Sequence, residues 1–153
     1  MPCNFWASGE AFDVDAFLEA TSLSPDRIFR RGETRRTVGS NDVNQESGFT
    51  IVVSEGGFDD FDQQTVDAIA SLKTNRMMLA QLATAPIAVS MVLDFGVRWP
   101  DTCTHTDRIP AELVHEAGNA RVAIHISHYP IDDDTSDQCG GHCDHDESIN
   151  TIL

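Results

Sequence analysis

Two cysteines and two histidines crowd one short stretch near the C-terminus, Cys139-Gly140-Gly141-His142-Cys143-Asp144-His145-Asp146. Thiolates and imidazoles are the ligands that zinc takes in a tetrahedron, and the Gly140-Gly141 pair lets the backbone fold around an ion. The candidate ligands are Cys139, His142, Cys143 and His145. Against them, the C-x3-C spacing departs from the usual zinc knuckle, and four ligands this close strain the geometry. Seven acids fall between Asp132 and Glu147, and no basic residue follows Arg121. The same stretch therefore also fits a solvated, flexible acidic tail, which is the favoured reading.

A second cluster is cationic. Arg27, Arg30, Arg31, Arg35 and Arg36 are five of the nine arginines in a chain that has 25 acidic residues, 10 basic residues and a single lysine, Lys73. Arg30, Arg31, Arg35 and Arg36 could hold an anion or a carboxylate-rich partner through forked, charge-assisted hydrogen bonds. Alternatively they pair with acids of the same chain, the tail included, and this structural role is the preferred one. The net charge of −15 repels nucleic acids and anionic membranes and suits a partner with a basic surface. Simple solubility, or a uniformly acidic proteome, explains the charge equally well. A DNA mimic is a further possibility, requiring the acids to stand in phosphate-like rows.

Other chemistry has no motif to carry it. The chain lacks a Gly-x-Ser-x-Gly elbow, a phosphate loop ending in Lys-Ser or Lys-Thr, and a His-Glu-x-x-His helix. His115 falls on a helix beside Glu116. His125 and His128 alternate along a strand, so they point to opposite sides and cannot share an ion. Asp59, Asp60 and Asp62 precede a long helix and suit its positive end. Cys3 reads as a small buried residue of a strand.

The elements that must position these groups follow from periodicity. Cys3 to Ser8 alternates weakly and predicts a strand. Asp13 is an N-cap for a helix with Val14, Phe17 and Leu18 on one face. Arg27 to Val38 predicts a loop entering a short strand, followed by a long polar hairpin loop from Gly39 to Gly48. Phe49 to Ser54 is a β-branched strand. Asp62 to Ala83 is helical, with Asn75 as a dividing point, and Ile87 to Phe95 predicts a half-buried strand between Pro86 and Gly96. Pro110 opens a helix that Gly118 closes as its C′ residue. Arg121 to Tyr129 is the last strand, stopped by Pro130.

This order predicts an α+β fold: a mixed β-sheet of about five strands, helices packed mainly on one face, and an acidic flexible C-terminal tail. Residues 1–130 form the single domain and 131–153 the tail. One helix joins the last two strands, which favours a parallel crossover and brings both strand ends to one edge of the sheet. Cys103 and His105, after the first of them, then lie at the same end as the tail and complete the list of candidate metal ligands.

Several local strings resemble a bacterial family known as domain of unknown function 4279. They are Ser8-Gly9-Glu10 with Phe12-Asp13-Val14-Asp15, Arg30-Arg31-Gly32-Glu33, Gly48-Phe49-Thr50-Ile51, Ile109-Pro110-Ala111-Glu112-Leu113 and Tyr129-Pro130, spanning roughly residues 3 to 130. The resemblance implies a compact α+β domain with no established activity. Phe49 departs from it, since such domains would have tryptophan there, and the Cys/His tail lies outside it.

No apolar run approaches the roughly 20 residues of a spanning helix, and Met1 to Trp6 lacks the regions of a signal peptide, so the expected location is the cytoplasm. The expected function is a small bacterial interaction or inhibitor protein of the immunity type, not an enzyme, acting on another protein with a basic surface and needing no cofactor. The alternative is a zinc-binding protein using the Cys/His cluster.

Overall fold

In β1 (Cys3–Gly9) the side chains of Cys3, Phe5 and Ala7 are buried, while Asn4, Trp6 and Ser8 project to the other side, the two-residue period of a strand. The elements that follow are α1 (Val14–Thr21), β2 (Arg27–Phe29), β3 (Ser47–Ser54), α2 (Phe61–Thr74), α3 (Arg76–Ala83), β4 (Ser90–Arg98), α4 (Ala111–Ala120) and β5 (Ala123–Tyr129). They are seen in a computed structural model that describes residues 3–35, 42–99 and 106–130. The strands form one mixed sheet in the order β2-β3-β1-β4-β5. β1 is antiparallel to both β3 and β4, β2 is antiparallel to β3, and β4 and β5 are parallel, joined by α4. The fold is α+β, with its helices gathered over one face.

That face holds the core. Phe5, Ala7, Phe49, Leu93 and Phe95 from the strands pack against Val14, Ala68, Leu72, Leu79, Leu82, Leu113 and Ala117, so all four helices among the described residues contribute. Phe49 is fully buried, stacked on Phe17 with ring centroids 5.9 Å apart and flanked by Phe5 and Phe12. Two carboxylates cap helices: Asp13, as expected, and Asp60, which the sequence marks only as one of three acids at the helix's positive end. Asp13 accepts the Ala16 N–H at 3.0 Å and Asp60 accepts the Gln63 N–H at 3.1 Å. Asn75 divides α2 from α3, its backbone N–H and its side-chain amide each donating to the Ser71 carbonyl at 2.9 Å.

Several boundaries move from their expected places. β4 runs from Ser90 to Arg98, so Ile87 and Val89 precede it and Gly96 lies inside it, paired with Ser127 of β5. α4 continues through Gly118 to Ala120, and Arg121, with φ of 58°, takes the left-handed position that was expected of Gly118. The short strand after Pro25 is only Arg27–Phe29, and β5 starts at Ala123.

Cys3 opposite Phe95 is the last pair of β1 with β4 among the described residues. Gln64, fully buried on α2, donates to the carbonyls of Gly96 and Gly57, each at 2.9 Å. Nearby, the Arg98 N–H donates to the carbonyl of Phe58 at 3.1 Å. At the same end the Trp99 N–H donates to the Tyr129 carbonyl, which ties the exits of the two parallel strands together. Among the described residues no helix is long and apolar enough to cross a membrane.

Candidate interaction surface

Side chains on the face opposite the helices form rows across the sheet. Register places Arg27, Thr50, Trp6, Val92 and Ala123 side by side, one from each strand, and sets Asn4, Asp94 and His125 in the adjoining row. Trp6, at the centre, is 40% exposed. Its ring meets that of His125 edge-on, centroids 6.5 Å apart, although β4 lies between their strands. The two rings roof β4, and Val92 beneath them is buried on a face that the helices do not reach. β4 is therefore buried on both faces at its middle, not half-buried.

Beside Trp6 the face dips into a concavity of about 860 Å³. Its floor is Asn4, Thr50, Val52 and Asp94, and the segment from Asp26 to Thr34 with Asn44 forms its wall. Two devices shape that wall. The Asp26 carboxylate accepts the Val52 N–H at 2.7 Å and its own N–H donates to the Thr50 carbonyl, fastening the start of β2 to β3. Phe29 lies over Gly48, where a β-carbon would stand 2.7 Å from the ring and closer still to the Ala7 carbonyl. Only glycine fits there.

The arginine cluster divides. Arg30 forks onto Asp15 of α1 at 2.6 and 2.8 Å and has Glu33 at 3.7 Å. The hydrogen bond to that guanidinium, chiefly, holds the Asp15 carboxyl below the usual aspartate range and raises Arg30 in return. Arg31 reaches the Glu10 carboxylate at 3.8 Å. Arg35 is exposed, its backbone N–H donating to the Asp42 carbonyl, and Arg36 lies outside the described residues. Arg27 lines the concavity and makes no ion pair among the described residues.

Asp94, half-buried on the floor, accepts a hydrogen bond from the Ser127 hydroxyl at 2.7 Å, Ser127 being the β5 partner of Gly96. His128 points to the opposite side from His125, its ring 5.1 Å from that of Trp99. His115 is exposed and bonded to Asn119. Cys103, His105, Cys139, His142, Cys143 and His145 all lie outside the described residues. Among the described residues no three His, Cys, Asp or Glu side chains group as metal ligands. Cys3 is a free thiol in the core.

Trp6 and Asp94 belong to no charge cluster or ligand motif in the sequence, and His125 is marked there only as a strand histidine that cannot share an ion with His128. A signal for Trp6 was present: β1 alternates weakly because a large aromatic stands where the period demands a polar residue. Comparison with family models, with curated proteins and with solved structures returned no match. What this surface can do follows from its geometry.

Proposed function

We propose that this chain is a non-catalytic interaction protein that docks on a basic protein through the open face of its sheet, around Trp6. Its concrete form is an immunity-type inhibitor of a basic toxin or nuclease in a bacterial cytoplasm, within the family its local strings resemble. The observation that carries this is a central tryptophan, 40% exposed on a five-stranded face that none of the described helices covers, in a chain of net charge −15. Aromatic residues beside a desolvated concavity are the usual anchors of protein interfaces, and a uniform charge speeds encounter with a partner of opposite sign.

The test is co-purification with the tagged chain from its native host, followed by reconstitution of the binary complex from purified parts. The expected complex weakens steeply with salt, and Trp6→Ala raises its Kd at least tenfold while leaving the far-ultraviolet spectrum unchanged. A reconstituted complex indifferent to both Trp6→Ala and Thr50→Arg would place the interface elsewhere and end the proposal.

A further inference from the structure

The charges that line the concavity sort into committed and uncommitted groups. Arg30 is held by Asp15 and Glu33, and Asp26 is spent on the backbone of β3. Among the described residues, those left to meet a visitor are Asp94, whose hydrogen-bond partner there is the neutral Ser127 hydroxyl, and Arg27, which makes no ion pair there. They stand on β4 and β2, three strand spacings apart, or about 14 Å between backbones. Trp6 lies on β1, between their strands, so the concavity is bipolar with an aromatic ring in its lining.

We propose that this concavity seats one arginine of the basic partner, its guanidinium stacked on the Trp6 indole and facing Asp94, while an acidic residue of the same partner segment meets Arg27. This rests on the proposed function and narrows it to a recognition element. A guanidinium suits the place better than an ammonium, because its plane stacks on an aromatic ring and still points hydrogen-bond donors at a carboxylate. The long-range field of the chain draws a basic surface in, and Arg27 then turns away a second cation. In an extended segment the acid falls four residues from the arginine, about 14 Å along the strand and on the same side.

The probe is the blocked peptide Gly-Arg-Gly-Thr-Gly-Glu-Gly, titrated into the full chain carrying Trp99→Phe, so that Trp6 is the remaining tryptophan and its emission reports the site. The expected result is a saturable change in emission that disappears when citrulline replaces the peptide arginine. Asp94→Asn weakens binding at least fivefold. Arg27→Ala, at an exposed position on the short edge strand, weakens this peptide but not its glutamine counterpart.

Silent Trp6 emission, or binding unaffected by Asp94→Asn and Arg27→Ala, would overturn the proposal. So would free L-arginine binding as tightly as the peptide, since the site would then be one for a small molecule. If these fail while a reconstituted partner still needs Trp6, the recognition element falls and the interaction surface stands. If no basic partner binds the open face, both fall.

Discussion

The thiol of Cys3 shows how far one residue's chemistry is set by its place. Burial, reinforced by the carboxylates of Asp94 and Asp67, pushes it up to about 12 from an ordinary value of 9.0. The reactive thiolate is therefore suppressed in the native state, and Cys3 should resist alkylation at about pH 8 until denaturant is added, as read from the mass of its peptide. The pH dependence has a definite sign. Because the folded value exceeds the unfolded one, the contribution to stability is complete below about pH 9 and is lost as pH rises toward 12. Denaturation midpoints should fall across that window, and Cys3→Ala should flatten the decline. The buried role of Cys3 could be read from its place in an apolar strand. The further rise that the carboxylates add could not, because Asp94 and Asp67 come from β4 and α2, far along the chain.

At the scale of elements, two positions do work that no motif announces. Arg121 ends α4 in the left-handed conformation, which costs a residue with a side chain about 1 kcal/mol. Arg121→Gly should stabilise the domain by up to that amount, visible as a higher Tm. Gln64→Leu should destabilise it by about 2 kcal/mol, since the carbonyls of Gly57 and Gly96 would each lose a buried donor. The Asp13 cap, the break at Asn75 and the parallel crossover were legible because each depends on local chemistry or on chain handedness. The register of β4 was not. Ile87 and Val89 continue the alternation of Met91, Leu93 and Phe95, but the strand starts only where β1 offers Ser8 as a partner to Ser90. Arg30 and Arg31 could be picked out as a cluster, whereas their acceptors Asp15, on α1, and Glu10, just after β1, are brought to them only by the folded chain.

For the whole molecule, an excess of 15 negative charges opposes compactness, and ion pairs such as Arg76–Glu116 and Lys73–Glu112 between the helices offset only part of it. Raising ionic strength shortens the Debye length from about 30 Å at 0.01 M to about 10 Å at 0.1 M, so Tm should climb over that range. The same salt should loosen a complex with a basic partner, which separates the two effects within one titration series. The sheet order has a consequence for synthesis. β1, the first of these five strands to be made, is the middle strand of their sheet and has both β3 and β4 as neighbours. A nascent chain that has not yet released Arg98 from the ribosome must carry Phe5 and Ala7 on a half-flanked strand. Ribosome-stalled chains ending just before Ser90 should bind chaperones and be cut by protease, and those extended past β5 should escape both.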